Sequence, residues 1–287
     1  MTYRPIEYRG NTYAPDVFER QFNPRADNPD IGLQLEERSR LAASTRRRLA
    51  FTPNISYGPS PRQTMDIFPG NPDRRGECAD LLFFHGGYWR AGHGSENCFV
   101  AEAFVEAGAT VVMASYDLCP HVRIGAIVAQ ACQALEWLMQ NGDAHAVDSN
   151  RLWVGGHSAG AHLSAMILAD PSSPPVAGAL LASGIFDLDP VLNISLNAEI
   201  QAQSEDVEPW SPLNHPPAQR TEILLAVGGE ESSEWQRQTH LYADVARGAG
   251  CKTETVIEAD ANHLGLLFEL RSASSKSTQA ALARMKT

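Results

Sequence analysis

With 287 residues and 43% hydrophobic content, the chain is long enough for one large domain with a sizeable core. Its formal net charge of −11 excludes the basic face that nucleic-acid binding requires. The start, Met1-Thr2-Tyr3-Arg4-Pro5-Ile6-Glu7, has no apolar leader, and no run approaches the ~18 apolar residues of a membrane span, so a cytoplasmic protein with no membrane partner is expected.

In chain order, residues 1–53 read as a polar arm followed by a helix over 32–50, where Leu33, Leu35, Leu41 and Leu49 are set among charges. This part is expected to lie outside any sheet, packed over the active site or against a second subunit in a homodimer. Arg46-Arg47-Arg48, the densest basic run, reads as a solvated helix face. From residue 54 onward strands and helices alternate. Strands are expected over 63–68, 80–85, 110–116, 151–155, 178–183, 222–227 and 253–258, and helices over 96–107, 124–141, 159–169 and 233–248. Helices of this length between strands imply right-handed crossovers and a mostly parallel, doubly covered α/β sheet over 54–287. The stretch 187–217, rich in Asn, Pro and acidic residues, breaks the rhythm and reads as a small cap insertion above the strand ends. Five cysteines without a C-x-x-C pair (Cys78, Cys98, Cys119, Cys132, Cys251) point to reduced, mostly buried thiols.

The chemistry centres on Gly156-His157-Ser158-Ala159-Gly160, which follows the strand-like Arg151-Leu152-Trp153-Val154-Gly155 and precedes a helix-like run. That context makes a nucleophile elbow, with the Ser158 hydroxyl presented above a sheet. Such a serine needs a base, and the base needs an acid that fixes its tautomer, in the chain order Ser, acid, His. His263, just beyond the last expected strand, stands where the base belongs; Glu230 or Glu231, on the loop after the strand over 222–227, is the acid. His85-Gly86-Gly87-Tyr88-Trp89-Arg90 follows the strand over 80–85, and its consecutive glycines allow backbone N–H groups to turn toward a developing oxyanion. Gly87, Tyr88 and Ala159 are the candidate donors, and Tyr88 and Trp89 a candidate aromatic wall for the substrate. His85 reads as structural and His157 as shaping the turn. His93, His121 and His162 lack ligand spacing, so neither a metal nor another cofactor is expected.

These residues resemble the α/β-hydrolase superfamily, and within it the kynurenine formamidase branch. The resemblance rests on His85-Gly86-Gly87-Tyr88-Trp89, on Glu19-Arg20-Gln21-Phe22-Asn23-Pro24-Arg25, on Tyr57-Gly58-Pro59 with Gln63-Thr64-Met65-Asp66-Ile67-Phe68, and on Gly228-Gly229-Glu230-Glu231-Ser232-Ser233-Glu234-Trp235. It implies the α/β-hydrolase fold and makes Glu231, which immediately precedes a serine, the acid. It also implies N-formyl-L-kynurenine as the small-molecule substrate, cleaved to formate and L-kynurenine. The sequence departs from the pattern in carrying Glu where relatives often carry Asp, and in Leu264-Gly265 where an aromatic commonly follows the base. Competing expectations are a carboxylesterase or amidase for another aryl or small-acyl compound, and a non-catalytic binding protein of the same fold.

Overall fold

The computed structural model describes residues 4–26 and 28–286. The arm begins as an antiparallel hairpin, β1 (Ile6–Tyr8) and β2 (Asn11–Tyr13), and continues into α1 (Pro15–Phe22) and α2 (Ile31–Arg48). The sheet then starts with β3 (Thr52–Ser56), β4 (Thr64–Phe68) and β5 (Asp80–Phe84). A 3-10 turn over Gly94–Val100 leads into α3 (Ala101–Glu106), β6 (Val111–Ala114), α4 (Ile124–Asn141), β7 (Leu152–His157), α5 (Ala159–Ala169) and β8 (Gly178–Ala182). The segment after β8 carries two short helices, α6 (Asn197–Ile200) and α7 (Ser204–Trp210), between 3-10 turns over Asp189–Asn193 and Pro212–Asn214. β9 (Glu222–Gly228), α8 (Ser233–Gly248), β10 (Lys252–Glu258), α9 (His263–Glu269) and α10 (Lys276–Met285) complete the chain.

The eight strands lie in the order β10-β9-β8-β7-β5-β6-β4-β3. Six of them, β5 to β10, are mutually parallel, whereas β4 runs antiparallel to β6 and β3 antiparallel to β4. The central strands are buried on both faces because their side chains alternate between two cores. Leu82 and Phe84 of β5 join one with α4 and α5; Leu81 and Phe83 join the other with α3, α9 and α10. A mostly parallel, doubly covered α/β sheet follows.

Two details depart from the sequence expectations. The sheet begins at Thr52, inside the segment expected outside it, because β3 pairs with β4 from Thr52↔Ile67 onward. The arginine run is not simply solvated: Arg46 pairs with the buried Asp66 and lies over the Phe51 ring at 4.3 Å, while Arg48 pairs with Glu102. These contacts fasten α2 to the sheet edge and to α3. The arm also packs inward, burying Tyr8, Phe18 and Phe22 in edge-on and tilted ring contacts.

At the centre, the start of α5 presses against β5 so closely that side chains are excluded. A Cβ on Gly160 would stand 2.0 Å from the Phe84 carbonyl oxygen, and one on Gly156 would stand 2.2 Å from the Gly160 carbonyl carbon. Both are backbone clashes that no rotamer change relieves. Gly160→Ala is therefore expected to destabilise the fold by about 2–3 kcal/mol, read as a lowered urea midpoint at unchanged m-value.

Candidate active site

Between β7, ending at His157, and α5, starting at Ala159, a single residue makes the turn: Ser158, with φ 57° and ψ −117°. A non-glycine residue held there stores about 1–3 kcal/mol of strain. Two backbone bonds sustain it, Ser158 N–H to the Ala182 carbonyl at 2.8 Å and His162 N–H to the Ser158 carbonyl at 3.1 Å. The serine is only 3% exposed, and lines a cleft that opens to solvent.

His263 is the first residue of α9, whose N-cap Asn262 accepts from Gly265 N–H at 2.8 Å. Its Nδ1–H donates to Glu231 Oε2 at 2.6 Å, which leaves Nε2 as the lone-pair nitrogen, and the residue lines the same cleft as Ser158. The other Glu231 oxygen accepts from Gly228 N–H at 2.7 Å and from the Ser183 hydroxyl, so the carboxylate is held at both ends. Glu230, by contrast, is exposed. Of the two adjacent glutamates, the structure brings Glu231 to His263.

Two neighbours of His263 are roles that the sequence reading did not assign. Trp235, in the first turn of α8, lies against the imidazole with ring centroids 4.3 Å apart, and His157 lies on it at 4.6 Å. His157 Nε2–H also donates to the His263 carbonyl at 2.8 Å, tying the end of β7 to the start of α9. Trp235 was visible only as the last residue of the acid loop, and nothing in its spacing marked which ring it would face.

The loop after β5 turns through three positive φ values, 124° at Gly87, 52° at Tyr88 and 55° at Trp89. Gly87 O accepts from Arg90 and Ala91 N–H at 3.1 and 3.2 Å, and Trp89 O accepts from Cys119 N–H at 2.8 Å. The N–H groups of Gly87, Tyr88 and Ala159 find no protein acceptor among the described residues. Ala159 N–H also stands at the positive end of the α5 dipole. Donors not committed elsewhere are what an oxyanion site needs.

His85 holds the root of this loop, Nδ1–H bonded to Gly86 O at 2.8 Å and the ring stacked on Tyr116 at 4.1 Å. Tyr88 lines the cleft while its hydroxyl is anchored on the Phe22 carbonyl. Trp89 must be corrected. Expected as pocket wall, it is fully buried beneath the loop, its Nε1–H donating to His162 Nδ1 at 3.2 Å. The indole is held in the core by its bond to His162 and by edge-on ring contact with that imidazole at 4.8 Å. The apolar wall comes instead from Ile31 and Leu35 of the arm, Leu196 before α6, and Leu264 and Leu267 of α9. The arm leucines belonged to a helix whose exposed and facing sides were indistinguishable by spacing.

The family profile described as alpha/beta hydrolase fold matches residues 81–264. A kynurenine formamidase from Danio rerio is 27% identical over 276 residues, covering 90% of this chain and 92% of that protein. One from Salmo salar is 28% identical over 272 residues, covering 89% and 91%. Among solved structures, a candidate thioesterase from Silicibacter sp. superposes with a TM-score of 0.80 at 24% identity, covering 93% of this chain and 98% of that one.

Three imidazoles around this site are kept neutral by burial. The His85 pKa is lowered to about 3 and that of His162 to about 4, both chiefly by desolvation. His157 is pushed well below the ordinary value, first by desolvation and then by the charge of His263. In the unfolded chain each would take a proton near pH ~6.5, so acidification favours unfolding. Asp80 works the other way, since burial raises its carboxyl to about 6 and the folded state binds the extra proton. The three imidazoles outnumber the one carboxyl, so these four groups together make stability fall as the pH drops from 7 to 5. Urea titrations at pH 7, 6 and 5 measure this, and a flat profile would mean that these rings are protonated in the folded protein.

Proposed function

Starting from a chain that belongs to the α/β-hydrolase family and hydrolyses ester or amide bonds, we propose that it is a serine hydrolase for small-acyl aryl amides, with N-formyl-L-kynurenine as its substrate. The observation that carries the mechanism is the Glu231–His263 hydrogen bond at 2.6 Å, formed beside the strained turn that presents Ser158 to the same cleft. The substrate reading is supported by similarity to kynurenine formamidases over about nine-tenths of the chain.

In this mechanism Ser158 Oγ attacks the formyl carbon as His263 Nε2 takes its proton. Glu231 holds the imidazole in the tautomer with hydrogen on Nδ1 and faces the positive charge that forms. The carbonyl oxygen becomes an oxyanion that receives the N–H groups of Gly87, Tyr88 and Ala159, each worth about 2.7–4 kcal/mol in the transition state. Imidazolium Nε2–H then protonates the departing aniline nitrogen, whose lone pair is delocalised into the ring and whose bond to carbon is weaker than an alkyl amide's. Water, deprotonated by the same nitrogen, hydrolyses the formyl-serine ester, releasing formate and restoring Ser158.

A second reading, a carboxylesterase, has specific support in the 24% identity to an Arabidopsis thaliana isoprenylcysteine alpha-carbonyl methylesterase over 75% of this chain. The chain spans 57% of that protein. Steady-state hydrolysis of N-formyl-L-kynurenine beside p-nitrophenyl acetate separates the two. The formamidase reading expects efficient turnover of the formamide; ester cleavage without it would sink that reading. Ser158→Ala is expected to lower kcat by at least about 10⁴-fold on either substrate, and Glu231→Gln by about 10²–10⁴-fold, with KM little changed.

A further inference from the structure

Three guanidinium side chains line the cleft that holds Ser158 and His263: Arg25, Arg38 and Arg90. They arrive from separate parts of the chain, the loop after α1, the middle of α2 and the loop after β5. Such convergence is unexpected in a chain of net charge −11, unless the site itself requires positive charge.

Two carboxylates answer the three cations. Glu96 stands 3.0 Å from Arg38, and Glu199 of α6 stands 2.7 Å from Arg90. Both acids sit at the rim, with side chains 44% and 60% exposed, so water weakens their hold. Arg25 has no ion-pair partner among the described residues. Arg38 also keeps its Nε buried without an acceptor among the described residues. The cluster is under mutual repulsion: partial desolvation, then the charges of Arg90 and Arg38, lower the Arg25 pKa.

We propose that Arg25, Arg38 and Arg90 form an anion subsite that receives a carboxylate carried by the leaving-group half of the substrate. An excess of one guanidinium matches a single negative charge better than the nearly double charge of a phosphate. The planar fork of Arg suits a carboxylate held through two parallel N–H···O bonds. Ile31, Leu35 and Leu196 of the same cleft offer apolar contact to an aryl body between the charge and the reacting carbonyl. The inference rests on the formamidase reading, under which the acyl group is only a formyl and the carboxylate must lie on the departing amine.

The test compares wild type, Arg25→Gln and Arg25→Lys on N-formyl-L-kynurenine, its decarboxylated counterpart N-formylkynuramine, and p-nitrophenyl acetate. Arg25 is exposed, and equal thermal midpoints would show that the fold is kept. The expectation is a wild-type kcat/KM at least tenfold higher for the formamide that carries the carboxylate. Arg25→Gln should shrink that ratio by about tenfold, through KM, and Arg25→Lys should recover part of it. Equal wild-type treatment of the two formamides, or a ratio untouched by Arg25→Gln, would overturn the subsite. If neither formamide is cleaved while p-nitrophenyl acetate is, the formamidase reading fails by itself. The subsite is then read from inhibition of acetate hydrolysis: stronger inhibition by L-kynurenine than by kynuramine, lost in Arg25→Gln, sustains it, and equal or absent inhibition overturns it.

Discussion

The bend at Ser158 is the constraint to which the rest of the site is fitted. A strand cannot pass into a helix within one residue unless that residue leaves the ordinary backbone regions, and here a serine with φ 57° makes the passage. The strain persists because it is surrounded by contacts that admit no slack. Gly160 rests on the Phe84 carbonyl, Gly156 rests on Gly160, and the Ser158 N–H is engaged by Ala182 of the next strand. Relaxing the turn would push α5 off β5 and open the most tightly packed part of the sheet. Packing energy spread over β5, β7, β8 and α5 is thereby concentrated on one hydroxyl.

The same logic extends along the strand ends. Tyr88 and Trp89 after β5, and Ser183 after β8, also carry positive φ. Each is fastened by a partner that the fold supplies: Phe22 holds the Tyr88 hydroxyl, Cys119 N–H holds the Trp89 carbonyl, and Ser183 donates to Glu231. Several fastenings come from the N-terminal arm. Tyr13 donates to Glu234 at 2.7 Å, Ser232 donates to the Gln21 carbonyl at 2.6 Å, and Ser195 N–H donates to Glu19 at 2.8 Å. The arm thus touches the acid loop, the oxyanion loop and the segment after β8 together. Its removal would take away contacts shared by three parts of the site that are themselves linked through Ser183 to Glu231 and Arg90 to Glu199.

The alternating architecture, and the three side chains proposed to react, have local signatures in the chain. Buried parallel strands are short apolar runs, an elbow is glycine around serine between a strand and a helix, and base and acid follow strand ends in a known order. Residues whose role depends on distant partners could not be read this way. The arginine run looked solvated because Asp66 and Glu102, its partners, lie 20 and 54 positions away from Arg46 and Arg48. Trp89 looked like a wall because its motif sits at the cleft, yet its indole is held by His162, 73 positions on. Arg25 and Arg38 became neighbours of Arg90 only through the docking of the arm, which no periodicity describes.

In the proposed mechanism, the surroundings of His263 select which imidazole carries the proton. Its three neighbours differ in how they meet a positive charge. Glu231 offers a full negative charge at 2.6 Å, Trp235 offers an aromatic ring at 4.3 Å, and His157 offers a second imidazole at 4.6 Å. The first directly stabilises a cation, and the second lies tilted at 43° to the imidazole. The third would oppose it if it were charged as well. Burial prevents that by keeping His157 neutral, and its bond to the His263 carbonyl uses the one proton it retains. Of two rings in contact, only His263 is paired with a carboxylate, so in the proposed mechanism it is the ring that receives the proton from Ser158 and returns it to the leaving group.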